Sequence, residues 1–206
     1  MEFIQEPQTI ENTSMDIIEE AVPVLRTLPE GEKQIIKRII HTTGDVNIYD
    51  LIKIHPEAVE AGLQAIRAGR PIFTDVQMLR SGISPVKLQQ FGIDTMCMIK
   101  DSDVVEEAKR TGKTRAMIAM AKAAPLLEGG IIAIGNAPTA LFELCAMVKN
   151  GTLKPALVVG TPVGFVGAKE SKELLTETPV PYVTITGTRG GSTIAVAVLN
   201  ALLKIA

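Results

Sequence analysis

Aromatic side chains are scarce in this chain of 206 residues, where they make up 3% of the sequence, and tryptophan is absent. Proteins that bind single-stranded nucleic acid commonly stack the bases on aromatic rings. The formal net charge is only -2, with acidic and basic residues interspersed, so the sequence indicates no basic surface for a phosphate backbone. We therefore expect no nucleic acid among the partners of this protein.

Long apolar runs are missing as well. No uninterrupted run reaches the roughly 20 residues that cross a membrane, and no charged-then-apolar leader is recognisable. The two cysteines, Cys97 and Cys145, lie in apolar segments without a neighbouring base, which predicts buried, reduced thiols. We expect a cytoplasmic protein with no membrane partner. Its 46% hydrophobic residues are enough for one α/β domain spanning residues 1–206.

Residues for metal binding and for nucleophilic catalysis are few. The chain has two histidines, and neither they nor the two cysteines show the spacing of a metal site. A G-x-S-x-G turn and a recognisable catalytic triad are also absent. The sequence thus predicts no metal site and no cofactor, and it favours chemistry that needs proton donation and positioning.

The first part of the chain is predicted to be mainly helical. Thr13 and Asp16 have the spacing of a capping box, as have Thr27 and Glu30, so a helix is expected to begin at each pair. Pro23 is expected to interrupt the first of these helices. The segment "HPEAVEAGLQAIRAG" predicts a further helix that ends before a glycine.

The rest of the chain alternates between short apolar runs and helical patterns. After a buried strand in "PIFTD", with Asp75 expected to cap the next helix, come the runs "TMCMI", "GIIAIG", "PALVVG" and "YVTITG". Amphipathic segments separate most of these runs, and continuous apolar strands between helices are typical of a parallel sheet covered on both faces. We predict an α/β fold with a mostly parallel sheet, helices on both faces and an N-terminal helical extension.

Three predicted strands end in glycine-rich turns, "IGNAPTAL", "VGTPVGFVGAKESK" and "TGTRGGSTIA". The carboxyl ends of parallel strands are where open α/β sheets bind ligands, and exposed amides at helix N-termini favour anions. Thr139 and Ser192 are candidate caps of the helices that follow. None of the turns is a Walker loop or a clean dinucleotide fingerprint. The turns predict a roomy pocket for a ligand with several carboxylates or phosphates.

His41 is the main candidate for proton transfer. It ends an apolar helix and is followed by Thr42, Thr43, Gly44 and Asp45. Imidazole exchanges a proton near neutral pH, and the hydroxyls and Asp45 are expected to orient the ring. A second interpretation is a histidine placed favourably at a helix C-terminus. The other histidine, His55, is expected only to flank a helix.

Several segments together carry a resemblance to a known family. "RIIHTTGD", "TDVQMLRSGI", "AIGNAPTALFEL", "GTPVGFVGAKESKELL" and "TRGGSTIAVAVLNAL" occur in that order. With these segments the chain resembles the precorrin-8X methylmutases of corrin-ring biosynthesis, almost from end to end. The resemblance implies a homodimer with active sites near the subunit interface. It also implies migration of a methyl group from C11 to C12 of a tetrapyrrole, which gives hydrogenobyrinic or, with cobalt, cobyrinic acid.

The resemblance also implies roles for single residues. His41 matches the family's proton donor and acceptor, and Arg38 and Ser14 match substrate-binding positions. As alternatives, Ser14 is a helix-cap serine and Arg38 lies on a solvated helix face. Together with the turns, these roles give the predicted set of substrate-binding residues: Ser14, Arg38, Thr42, Thr43, Gly135, Asn136, Gly164 and Arg189.

Two other functions remain open at this point. A nucleotide- or phosphosugar-binding enzyme would use the same turns and would bind NAD or ATP. A non-catalytic corrinoid carrier would bind the product without rearranging precorrin-8. The sequence leaves open whether the substrate contains cobalt, which would arrive inside the ring.

Overall fold

A computed structural model describes residues 4–206. Within them lie ten α-helices: α1 (Pro7–Ala21), α2 (Glu30–Thr43), α3 (Ala58–Arg67), α4 (Gln77–Gly82), α5 (Pro85–Phe91), α6 (Ser102–Thr111), α7 (Arg115–Ala123), α8 (Pro138–Lys149), α9 (Ala168–Thr176) and α10 (Ser192–Ile205). The strands are β1 (Ile52–Ile54), β2 (Ile72–Thr74), β3 (Thr95–Met96), β4 (Ile131–Ile134), β5 (Leu157–Gly160) and β6 (Tyr182–Ile185). Three 3₁₀ helices, Pro23–Thr27, Val46–Leu51 and Ala124–Leu126, complete the list.

The six strands form one sheet in the order β1-β6-β5-β4-β2-β3. Strands β2 to β6 pair in parallel, and β1 is antiparallel to β6. The predicted mostly parallel sheet is therefore confirmed. Strand β1 was not predicted, because it has only three residues and the charged Lys53 stands in its centre.

Both faces of the sheet are covered, as the apolar strands predicted. Ile131 and Ala133 of β4 belong to one hydrophobic core, and Ile132 and Ile134 belong to the other. The first core is closed by α1 to α4 and α10, and the second by α6 to α9. This split follows from the strand geometry, because successive side chains point to opposite faces of a sheet.

Helix α10 is the most enclosed helix of the first core. Nine of its fourteen residues are buried, and it packs between α2 and the sheet. Helix α2 contributes Ile35, Ile36, Ile39 and Ile40 to the same core. The apolar face of α2 thus lies on α10, which brings the last turn of α2 close to the N-terminus of α10.

The N-terminal helix is fastened to α2 at two points. Arg38 Nη2 lies 2.6 Å from Glu11 Oε1, and Lys37 Nζ lies 2.8 Å from Glu19 Oε2. Glu11 also accepts a hydrogen bond from Lys204 at 2.8 Å, and its two cationic partners lower the pKa of its carboxyl to about 2. Eight residues of helix, about 12 Å, separate the two glutamates, so α1 is held along much of its length.

The predicted helix starts in this region are wrong. Helix α1 begins at Pro7 with Glu6 as its cap, six residues before Thr13, because the Glu6 carboxylate accepts from the amides of Gln8 and Thr9. Helix α2 begins after Pro29 without a side-chain cap, and the Thr27 hydroxyl donates to the Val24 carbonyl instead. The interruption at Pro23 is confirmed, because a 3₁₀ helix begins there.

Both cysteines are buried free thiols, as predicted, and burial raises the pKa of Cys145. Within residues 4–206, no helix combines the length and the hydrophobicity that a membrane span needs. In the same residues, no group of three or more His, Cys, Asp or Glu side chains is placed to hold a metal ion.

Candidate active site

His41 lies in the last turn of α2 with its side chain exposed to solvent. The helix continues for two residues beyond it and ends at Gly44, which adopts the left-handed conformation with φ 62°. The Gly44 amide donates to the Ile40 carbonyl at 2.9 Å, so glycine closes the helix as a C-cap. The imidazole is thus presented at the surface and not packed in the core.

The expectation that Thr43 and Asp45 orient the His41 ring is wrong. The Thr43 hydroxyl donates to the carbonyls of Ile39 and Ile40 at 3.0 and 3.1 Å. The Asp45 carboxylate binds Arg189 Nη1 at 2.5 Å and accepts from the Asn47 amide at 2.9 Å, and this pairing with Arg189 lowers the pKa of Asp45. Asp45 therefore joins the end of α2 to the turn after β6.

Ser14 lies on α1, and Arg38 lies on the side of α2 that faces α1. Arg38 precedes His41 by three residues, so both side chains project from neighbouring positions on one face of α2. The Arg38 guanidinium is held by Glu11, and the Ser14 hydroxyl donates to the Ile10 carbonyl at 2.8 Å. Ser14 thus bonds within its own helix and is not the N-cap of α1.

Two open depressions flank the N-terminus of α10, and Thr42 and Thr43 line one each. The first has a volume of about 280 Å³, the second of about 290 Å³. Thr193 forms part of the wall of the first, and Ile194 part of the wall of the second. The two depressions therefore both lie where the end of α2 meets the start of α10.

The glycine turn after β4 does not offer its amides to a ligand. The amides of Gly135, Asn136 and Ala137 donate to the Asp75 carboxylate at 3.0, 2.8 and 2.8 Å. Asp75 is buried, and burial raises its pKa while the three amides oppose that rise. The prediction that Asp75 caps α4 is wrong, and so is the expectation of free amides at this turn.

Gly135 has a packing role in the structure. A Cβ atom there would lie 2.7 Å from the Ser192 Cα atom, which is backbone that has no room to move. The turn after β4 therefore rests directly on the first residue of α10. Asn136, by contrast, has an exposed side chain at the same turn.

The turns after β5 and β6 cross each other. A Cβ atom on Gly190 would lie 2.3 Å from the Thr161 carbonyl oxygen, so only glycine fits at the crossing. Gly164, with φ 149°, donates its amide to the Thr188 carbonyl at 3.1 Å. Arg189 is exposed at this crossing and lines the second depression.

The N-terminus of α10 keeps free backbone donors. Gly191 precedes it, and the Ser192 side chain makes no cap, contrary to the prediction. Thr139 does not cap α8 either, since its hydroxyl is paired with that of Thr114 at 2.8 Å. Within residues 4–206, the amides of Ser192 and Thr193 have no backbone or side-chain acceptor. Such amides favour an anion.

Large apolar side chains are exposed around the same edge. Phe165 and Val166, in the turn after β5, are 94% and 90% exposed. Met78 in the first depression is 71% exposed, and Val163 in the second is 47% exposed. Exposed apolar side chains of this size beside a polar site are typical of a ligand or partner surface.

A larger depression, of about 410 Å³, lies between α2 and the edge strand β1. Leu28, Glu32 and Lys53 are among its lining residues, and none of the predicted site residues is among them. Its size alone therefore does not make it the candidate site. Five predicted site residues lie near the N-terminus of α10 and the end of α2: Thr42, Thr43, Gly135, Gly164 and Arg189. Ser14 lies on α1, and Arg38 lies on the face of α2 that is turned toward α1.

Comparison with known proteins agrees with this architecture. The sequence model of the precorrin-8X methylmutase family matches residues 9–205. The chain is 48% identical to the cobalt-precorrin-8 methylmutase of Leptospira interrogans, over 95% of this chain and 92% of that protein. The chain belongs to the precorrin-8X methylmutase family. Methylmutases are intramolecular transferases, so the family is one of isomerases.

Further relatives carry both names used in the family. The chain is 44% identical to the cobalt-precorrin-8 methylmutase of Salmonella typhimurium, over 98% of this chain and 97% of that one. It is 39% identical to the precorrin-8X methylmutase of Pseudomonas aeruginosa, with the same coverage. A crystal structure of the methylmutase from Thermus thermophilus superposes with a TM-score of 0.89 at 40% identity, covering 96% of this chain and 95% of that one.

We predict that D75N destabilises this methylmutase by roughly 3 kcal/mol, because an amide side chain cannot accept from three backbone donors at once. The free energy of unfolding in urea measures the effect. The control is D94N, which changes an exposed aspartate with no side-chain hydrogen bond in the described residues. Equal stability of the two variants would contradict the proposed anchoring of the β4 turn.

Proposed function

We propose that this chain moves a methyl group from C11 to C12 of precorrin-8, or of its cobalt complex, to give hydrogenobyrinic or cobyrinic acid. The observation that carries the proposal is the position of His41. Its imidazole is exposed at the end of α2, next to Thr42 and Thr43, which each line one of the two depressions, in a chain of the methylmutase family. The site contains a proton carrier and space for a wide ligand.

The acidic arms of the macrocycle fit the cations at this edge. Arg38 and Arg189 are both held by carboxylates, Glu11 at 2.6 Å and Asp45 at 2.5 Å. Arg189 is exposed, and exposed ion pairs contribute only about 0–1 kcal/mol, so an acetate or propionate arm can replace Asp45 at little cost. Arg38 is half-buried, so an arm would bind it beside Glu11. The planar guanidinium binds a carboxylate through two parallel hydrogen bonds. The free amides of Ser192 and Thr193 offer a further place for an arm.

His41 supplies the acid–base chemistry of the proposed reaction. It donates a proton to the conjugated ring, which draws electron density from the bonds around C11 and C12. The methyl group then moves across one face of the ring: its bond to C11 breaks, its bond to C12 forms, and His41 recovers a proton. No atom is gained or lost, as an isomerisation requires. General acid–base assistance of this kind contributes about 10²–10⁴-fold to the rate.

Positioning of the macrocycle supplies the rest of the rate enhancement. The exposed Met78, Val163, Phe165 and Val166 offer apolar contacts for the faces and edges of the ring. Cobalt, where the substrate contains it, enters as part of the substrate. In this proposal the residues of the chain bind the arms and the ring and do not ligate the metal.

We further propose that the protein acts in the cytoplasm as a homodimer whose second subunit covers the turn after β5. Phe165 and Val166 are among the most exposed apolar side chains of the described residues, and they adjoin the second depression through Val163. A second subunit would bury both and shield the bound ring from water, which strengthens electrostatic contacts in the site.

Replacing His41 tests the proton transfer. H41N is expected to lower single-turnover methyl migration by about 10²–10⁴-fold while the affinity for hydrogenobyrinic acid changes little, because the ring is still held. The matched control is H55N, since His55 flanks α3 and accepts from the Glu57 amide. Migration at the wild-type rate in H41N would remove His41 from the mechanism.

Replacing the arginines tests the grip on the acidic arms. R38Q and R189Q are each expected to raise the Kd for hydrogenobyrinic acid about tenfold, because a charge-assisted pair is lost. Fluorescence or absorbance titration measures this Kd, and R110Q on the exposed face of α6 is the control.

The variant D45N separates binding from local structure, because it breaks the same ion pair as R189Q but leaves the arginine free. We expect D45N to bind hydrogenobyrinic acid at least as tightly as the wild type. If D45N and R189Q weakened binding equally, Arg189 would act through the ion pair and not through the substrate.

The dimer is tested by sedimentation velocity. The wild type is expected to sediment as a dimer at micromolar concentration, and the double change F165S and V166S is expected to shift the equilibrium toward monomer, because buried apolar area is lost. V86S is the control, since Val86 is also exposed, at 73%, but lies on α5. A monomeric wild type would overturn the proposal.

A further inference from the structure

Lys172 is a buried cation that the proposed reaction does not use. It lies on α9 with only 1% of its surface exposed, and its Nζ atom donates to the Arg189 carbonyl at 2.5 Å. An ammonium group has three donors. Among residues 4–206 no carboxylate lies within 4.0 Å of this one. Lysine is rarely buried to this extent without an anionic partner.

A cavity of about 240 Å³ lies next to Lys172, between α9 and the strands β6 and β1. Lys53 of β1 lines it too, and its register opposite Thr184 places both side chains on the same face of the sheet. Thr176, Tyr182, Thr184 and Thr186 also line the walls, and the hydroxyls of Thr176 and Thr184 already donate to the carbonyls of Glu173 and Gly160. Among the described residues, the cavity therefore presents two ammonium groups and two hydroxyls with free donors, those of Tyr182 and Thr186.

One acidic side chain, Glu173, completes the lining of this cavity. Its carboxylate lies 3.7 Å from the ammonium of Lys169, one turn earlier on α9. Lys53, in contrast, has no carboxylate within 4.0 Å among the described residues. The two charges in the cavity that have no partner of opposite sign, those of Lys53 and Lys172, are therefore both positive.

The positive charge persists at neutral pH. Burial lowers the pKa of Lys172 to about 8, so the ammonium form still predominates at pH 7. A buried charge without a counterion is costly, and an anion in the cavity would relieve that cost. Hydroxyl donors beside two ammonium groups match a carboxylate or a phosphate, whose oxygens accept several hydrogen bonds.

We propose that the cavity between Lys53 and Lys172 is a binding site for a small carboxylate or phosphate anion. The anion is either a propionate arm of the macrocycle or a free anion. The first source rests on the proposed function, because the Arg189 carbonyl joins this cavity to the turn that lines the second depression. The site itself does not depend on the proposed function.

Thermal shift measurements at pH 7 and constant ionic strength test the site. Propionate, acetate or phosphate replaces chloride stepwise, without any corrinoid. A saturable rise in Tm is expected for the wild type and for K149Q, whose lysine is exposed at the end of α8 and does not line the cavity. K53M is expected to raise the Kd about tenfold, and K172M to abolish the effect, because each removes a charge-assisted partner.

K53M decides the result if K172M does not fold, because Lys53 is exposed on an edge strand. A wild type that responds to these anions no more than to chloride would overturn the site. A response left unchanged in K53M would overturn it too.

Competition with hydrogenobyrinic acid distinguishes the two sources. If the bound corrinoid raises the apparent Kd for propionate, an arm occupies the cavity; if both bind together, the site takes a free anion. Each result is compatible with the site. A protein that binds anions in this way but no corrinoid would refute the proposed function and leave the anion site standing.

Discussion

The candidate site depends on the close contact of backbone segments at the N-terminus of α10. Gly135 lies against Ser192, and Gly190 lies against the Thr161 carbonyl, at distances where a Cβ atom would clash. The Gly191 amide also donates to the Thr161 carbonyl at 2.7 Å. The turns after β4, β5 and β6 therefore hold one another in place, and the end of α2 is set against them through the packing of α2 on α10.

Much of the fold could be predicted from the sequence, because its strongest signals are local. The apolar runs of β4, β5 and β6 and the helices between them follow from hydrophobic pattern and from glycine at the strand ends. Helix starts were less predictable. Glu6 caps α1 although the better-known capping residues stand further along at Thr13 and Asp16, and β1 is too short to leave a pattern.

The candidate site was predictable only in part, for the same physical reason. The position of His41 at a helix end follows from a local pattern, and the family resemblance points to the same residue. The partners of the charged groups do not follow from a local pattern, because they come from distant segments of the chain. Asp75 binds amides 60 to 62 residues away, and Asp45 binds Arg189 across 144 residues. No local pattern distinguishes such an aspartate from a helix cap.

The two edge strands of the sheet limit how copies of this chain can associate. One outermost strand, β3, has two residues, and the other, β1, has three with an exposed lysine at its centre. Short strands and a charged side chain at a sheet margin oppose hydrogen bonding with a neighbouring molecule. The fold thus resists growth into continuous intermolecular sheets, the route by which unprotected β-proteins form fibrils.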